Sequence, residues 1–330
     1  MKKVVVITLI AFAFTLVVYA YSNHYSGKGG RYEYGYHDNG NVLLKVWDFM
    51  AEGDNNEDGA WIYPRVGGEP YLYASAFWVG TNCDGAIKVS TSYQLSVQEF
   101  RTTVDLVMSH DAEWPDGVPI FSDLDSYVKC NDDDAGEAGP IGIDVERHGY
   151  SFTAPPKDDF IGFQYKIYNG TDDDLTNVYV SRPCDFDVGG SSSCLDDLVG
   201  HDYNRDMPYM YDGESNHGYI GIICPQGKPL GSKIWNVDGN PVTDTEKFYY
   251  MTDVSWETAD TPDDWRVMYN TGPYTIPAGG SITVAFITVS GDDLADLQAN
   301  ADVAMDSYPG DTGTVNIVPS SVGRVKALYR

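Results

Sequence analysis

Residues 160–168 read F-I-G-F-Q-Y-K-I-Y, so Ile161, Phe163, Tyr165 and Ile167 alternate with Gly162, Gln164, Lys166 and Tyr168. A period of two buries one set and exposes the other, which a strand achieves and a helix does not. Seven other short runs rich in β-branched and aromatic residues, bounded by turn residues, read the same way: 42–49, 71–79, 100–108, 150–153, 175–180, 219–224 and 281–289. Many strands with little helix between them predict an all-β chain, an antiparallel β-sandwich that is either jelly-roll-like or two packed sandwiches. One helix is expected in the C-terminal half. Asp292 and Asp293 precede Leu294, Leu297, Ala301, Ala304 and Tyr308 at helical spacing, and Pro309-Gly310 ends the run.

With 330 residues the chain is long enough to bury a core without disulfides. No internal repeat or long linker interrupts it, so residues 41–308 read as one sandwich unit, with a division near residue 155 as the other reading. Residues 1–20 have the basic, apolar and small-residue order of a secretory signal, and their apolar run is short for a membrane span. Residues 21–40, rich in Gly and Tyr, read as a flexible or extended arm, and residues 309–330 as a strand-like basic tail. A secreted, extracellular or cell-surface location is expected, with no membrane span in the mature chain.

Asp and Glu number 49 against 21 Lys and Arg, a net charge of −28. Nucleic acid and anionic membrane are therefore poor partners, and cations are good ones. Five cysteines without a C-x-x-C pair fit an exported chain. A bridge between Cys184 and Cys194 is expected, contributing roughly 2–3 kcal/mol, and a second between Cys83 and Cys130, with Cys224 a buried thiol.

Three acidic stretches suit calcium, which takes hard oxygen ligands. The densest runs from Cys184 to Asp212, where Asp185, Asp187, Asp196, Asp197 and Asp202 surround the Gly189-Gly190 turn. Asp54, Asn56 and Asp58 open like an EF-hand loop, although its twelfth position is Arg65 rather than Glu. Asp123 and Asp125 lie in a third acidic loop. No H-E-x-x-H, G-x-S-x-G or phosphate loop appears, and carboxylate pairs arise unselected among so many acids. Asn169-Gly170-Thr171 is a glycosylation sequon at a strand-end turn.

The segments S-D-L-D-S-Y (122–127), D-D-F-I-G-F-Q-Y-K-I-Y-N-G (158–170), L-T-N-V-Y-V (175–180), D-F-D-V-G (185–189), D-D-L-V-G-H-D (196–202), G-Y-I-G-I (218–222) and N-T-G-P-Y (270–274) carry a resemblance. Over residues 115–308 the chain resembles a group of large secreted β-rich bacterial proteins, many with a C-terminal sorting domain of the type IX secretion system. No such domain follows Tyr308 here. The resemblance implies a surface or extracellular location and a metal-binding turn at Asp185, Asp187, Asp196, Asp197 and Asp202. It implies no reaction.

These readings combine into a secreted, calcium-stabilised structural protein without enzymatic activity. It is expected to be the self-assembling subunit of a filament, tube or surface layer, a homo-oligomer or polymer joined through its arm or tail. A calcium-dependent carbohydrate-binding module that meets glycans through exposed aromatics is the alternative, followed by a glycoside hydrolase.

Overall fold

The computed structural model describes residues 33–53, 60–92, 95–136, 138–190, 194–213 and 217–310. In chain order its strands are β1 (Tyr34–His37), β2 (Leu44–Trp47), β3 (Ile62–Tyr63), β4 (Glu69–Pro70), β5 (Ala74–Ser75), β6 (Trp78–Cys83), β7 (Ala86–Thr91), β8 (Arg101–Met108), β9 (Leu124–Asn131), β10 (Ile143–Ser151), β11 (Phe160–Asn169), β12 (Leu175–Asp185), β13 (Asp197–Asp202), β14 (Met207–Asp212), β15 (Tyr219–Gln226), β16 (Pro229–Asn236), β17 (Trp265–Ile276) and β18 (Ser281–Gly291). The helices are α1 (Asp244–Met251) and α2 (Leu294–Asp306).

The architecture is an antiparallel β-sandwich. An eight-stranded sheet, in the order β13-β14-β15-β18-β11-β10-β9-β8, faces a six-stranded one in which β16-β17-β12-β6-β7 is joined by β5 on β12. The predicted alternation in β11 holds: Ile161, Phe163, Tyr165 and Ile167 are buried in one cluster with Val178 and Val180 of β12 and Val267 and Tyr269 of β17. Burial of these side chains between the sheets is the main stabilising term. No helix among the described residues is long and apolar enough to cross a membrane.

Each sheet carries one helix on its outer face. Helix α2 starts where expected, with Asp293 accepting a hydrogen bond from the Asp296 backbone N–H. Its Leu297, Ala301 and Ala304 pack against Ile223, Ile287 and Val289 of the eight-stranded sheet. Helix α1 is an addition to the single helix expected. Thr243 and Glu246 form a capping box at its start, and Phe248 and Met251 pack on Trp78, Trp235 and Met268. Gly80 makes room for it, since a Cβ there would lie 2.9 Å from the Met251 sulfur.

Residues 34–37 of the expected flexible or extended arm are strand β1, paired with β2. His37 is fully buried there, within 2.7 Å of Ser151 Oγ and 2.9 Å of Ser126 Oγ. Pro155-Pro156 lies in the turn between β10 and β11, which pair from Ile143↔Asn169 to Ser151↔Ile161. The predicted disulfides are absent, and none of the five cysteines is bridged. Cys184 faces Ser75 Oγ at 3.4 Å, and Cys130 donates to the Asp48 carbonyl at 3.3 Å. Cys83 instead lies beside Thr81 and Thr176 on the six-stranded sheet. The secretory segment 1–20 and residues 311–330 of the basic tail lie outside the described residues.

A buried ionic group joins the two sheets. Glu52 accepts from Arg147 Nη1 of β10 at 3.1 Å and from Arg182 Nη2 of β12 at 3.5 Å, with all three side chains essentially inaccessible. Tyr165 donates to the same carboxylate at 3.3 Å. Both guanidiniums stack on Phe163, 5.4 Å and 5.1 Å from its ring centre. Removing one partner of such a group strands the others in a low-dielectric interior. Glu52→Gln is expected to cost about 3–5 kcal/mol, read as a lower denaturant midpoint; a midpoint equal to wild type would show that the group is energetically idle.

Candidate active site

On the outer face of the eight-stranded sheet, part of β9, β10 and β11 carries polar residues beside the apolar area that α2 covers. Val128 and Cys130 of β9, Val145 of β10 and Phe163, Tyr165 and Ile167 of β11 point inward. Strand alternation therefore sends Tyr127 and Lys129, Glu146 and His148, and Gln164 and Lys166 to the outer face. In register, His148 lies between Tyr127 and Gln164, and Glu146 lies between Lys129 and Lys166.

His148 is held from behind. Its Nε2 is 2.7 Å from Asp125 Oδ2. The Asp125 carboxylate also accepts the backbone N–H of Phe121 at 2.5 Å and of Ser122 at 2.9 Å, together with the Ser122 hydroxyl. Burial alone would raise the Asp125 pKa, but these bonds outweigh it and hold the group below its ordinary value. An ionised carboxylate only accepts, so His148 Nε2 carries the proton, and a neutral imidazole in that tautomer has its lone pair on Nδ1. Nδ1 makes no hydrogen bond to another described residue.

Aromatic rings frame the imidazole. Phe121 stacks on it at 4.1 Å and 16°, Trp114 stands at 5.7 Å and Tyr127 at 6.1 Å, both edge-on. Trp114 and Phe121 are only half-buried. On the other side, Gln164 donates to the Tyr308 hydroxyl at 2.7 Å. Below His148, Lys129 Nζ and Glu146 Oε1 pair at 2.5 Å. Burial lowers the Lys129 pKa, but the Glu146 contact outweighs it and raises the value. The Tyr127 hydroxyl is pushed up to about 12, chiefly by burial. Glu146 and His148, two residues apart on one face, stand about 6.6 Å apart along the strand. A proton acceptor, a carboxylate, two ammonium groups and aromatic walls thus share one surface.

The calcium candidates are dispersed. Asp54, Asn56 and Asp58 lie outside the described residues. Asp123 accepts the Thr153 backbone N–H at 2.9 Å, and Asp125 serves His148. Asp202 is bonded to Arg205, Asn204 and Gln298 at 2.7–2.9 Å, at the opposite end of β13 from Asp197. Asp185 and Asp187 do come together, joined by Asp264, with one carboxylate oxygen of each within 4.8 Å of the others. Asp185 also pairs with Arg266 at 2.7 Å, yet burial pushes its pKa up to about 6. Burial and the neighbouring Asp187 carboxylate push Asp197 up to about 10, while Asp196 is half-buried beside it. Asn169 of the sequon is buried, and its amide donates to the carbonyls of Asp173 at 2.7 Å and Ile276 at 3.0 Å.

His148, Glu146, Trp114 and Asp264 did not stand out in the sequence. Ile143 and Val145 begin an alternation that would have placed Glu146 and His148 outward, but Arg147 sits at the next inward position and hides it.

No family model matches the sequence, and no curated protein matches it. Solved structures do. The chain is similar to a bacterial glucoamylase complexed with acarbose, at 10% identity and a TM-score of 0.50, over 81% of this chain and 33% of that one. It is also similar to the Slr1438 protein from Synechocystis sp. PCC 6803 (11% identity, 80% of this chain, 98% of that one, TM-score 0.44). The GalM/aldose epimerase homologue from C. elegans matches at 6% identity, over 78% of this chain and 99% of that one, with a TM-score of 0.40. The chain spans about a third of the glucoamylase, and the likeness is one of fold. It corrects two expectations, the filament, tube or surface-layer subunit and the absence of enzymatic activity, because the sandwich recurs within a carbohydrate-active enzyme.

The Asp125 geometry has a pH signature. A carboxyl whose folded pKa is depressed stabilises the fold above its unfolded value of about 4, and that contribution is lost as pH falls through the folded value. Asp125→Asn is therefore expected to be less stable than wild type at pH 6, with the gap closing below about pH 4. A gap that stays constant with pH, followed by thermal melting, would remove the ionised carboxylate from the account.

Proposed function

We propose that this protein is a carbohydrate-active enzyme whose active site is the outer face of β9, β10 and β11. The observation that carries the reading is the His148–Asp125 pair. A carboxylate saturated by backbone and hydroxyl donors orients the imidazole of His148, which is 6% exposed and framed by Trp114 and Phe121. The sandwich it shares with a glucoamylase supports a carbohydrate as the substrate class.

In this reading a sugar ring stacks against Trp114, with its apolar face on the indole. Its hydroxyls meet Glu146, Lys129, Gln164 and Lys166. His148 Nδ1 takes a proton from the reacting sugar hydroxyl or carbon, and Asp125 stabilises the imidazolium that forms. Glu146, about 6.6 Å along the strand, is placed to serve the other end of the same ring.

The test is a screen of mono- and oligosaccharides for binding by ligand-observed NMR and for product formation. His148→Asn is expected to lower turnover roughly a hundredfold or more while binding and melting temperature persist, and Trp114→Ala to weaken binding. Turnover unaffected by His148→Asn would move the chemistry elsewhere. Sugar binding without turnover in wild type would make the face a binding platform.

A further inference from the structure

Four acidic side chains meet where strands of both sheets end. Asp185 closes β12, Asp187 follows two residues on, Asp197 opens β13, and Asp264 immediately precedes β17. Asp185 is 3% exposed, Asp187 4% and Asp197 0%. Arg266, opposite Asp185 in the β12–β17 register, is ion-paired with Asp185. Two buried carboxylate oxygens, Asp185 Oδ1 and Asp197 Oδ1, have no hydrogen-bond donor among the described residues. The second oxygen of Asp197 has only a long contact, 3.4 Å from the Val188 N–H.

Two buried carboxylates elsewhere show the contrast. Asp132 accepts the backbone N–H groups of Ile141, Gly142 and Ile143 and the hydroxyl of Ser90, and Asp125 is as fully served. A desolvated carboxylate oxygen without a donor is costly, and closely spaced carboxylates cannot all ionise unaided. A cation answers both demands. Calcium binds oxygens at 2.3–2.6 Å, so two ligands of one ion stand at most about 5 Å apart, and the Asp185, Asp187 and Asp264 oxygens lie within 4.8 Å of one another. The group offers carboxylate oxygens with no imidazole among them, a donor set suited to a hard divalent ion.

We propose that Asp185, Asp187 and Asp264 hold one calcium ion, with Asp197 behind Asp187, at the point where strand ends of the two sheets converge. The ion ties the end of β12 to the start of β17 within one sheet, with Asp197 at the start of β13 of the other sheet beside it. Its role is structural and lies apart from the His148 face.

The full chain, stripped with EDTA and dialysed, is titrated with calcium chloride by calorimetry and melted with and without the ion. Wild type is expected to bind one calcium per chain and to melt several degrees higher when loaded. Asp264→Asn should lose the binding and the calcium-dependent rise, while its ion-free form melts at or above ion-free wild type, because one repelling charge is gone. Asp187→Asn serves the same purpose if the first variant fails to fold. Stripped wild type that takes up no calcium at millimolar concentration, or variants that bind as wild type does, would overturn the assignment. Both readouts are independent of sugar turnover, so the site stands or falls separately from the enzymatic reading.

Discussion

The Glu52 carboxylate between Arg147 and Arg182 is the contact on which the arrangement of the two sheets depends. Three charged groups without access to water are costly to bury. That cost is offset only while the carboxylate reaches both guanidiniums, Tyr165 donates to it, and Phe163 offers each guanidinium a ring face. Trp47 and Ala51 carbonyls also accept from Arg147, and Ser75 Oγ accepts from Arg182 Nε. Such a directional set tolerates little sliding of one sheet over the other, whereas apolar packing alone is non-directional.

The same contact shapes the outer face. With Arg147 pinned inward on β10, alternation turns Glu146 and His148 outward side by side. Register then brings Tyr127, Lys129, Gln164 and Lys166 alongside them. Gly162 on β11 makes room for Tyr150, because a Cβ there would lie 2.2 Å from the Tyr150 ring. The polar surface therefore rests on a rigid central sheet, the kind of support that keeps catalytic groups in place.

Two acidic groups in this chain obey opposite logic. Asp125 is surrounded by donors and acts through the imidazole it orients. Asp185 and Asp197 are buried, each with one oxygen that has no donor among the described residues. Both began as acidic runs in the sequence, with the denser Asp185–Asp202 run the stronger candidate for calcium. Donors decide between the two roles, and the donors come from residues distant in the chain or from backbone geometry.

The sequence by itself determined the class of fold and several of its pieces. Alternation in β11, the β-rich runs that became β8, β15 and β18, and the capped helix α2 were legible because period and capping are local properties. The Thr243–Glu246 capping box of α1 was equally local and passed unmarked. Strands β9 and β13 were hidden by the acids they carry, and β10 by an arginine at an inward position. Those residues contradict burial until their partners are known. Asp125 needs His148, Arg147 needs Glu52, and Asp185 and Asp187 need Asp264, nearly eighty residues further on. Tertiary structure alone could decide which acids meet and which thiols stay apart. Charge compensation and sulfur–sulfur distance depend on separation in space, and a linear pattern does not carry that.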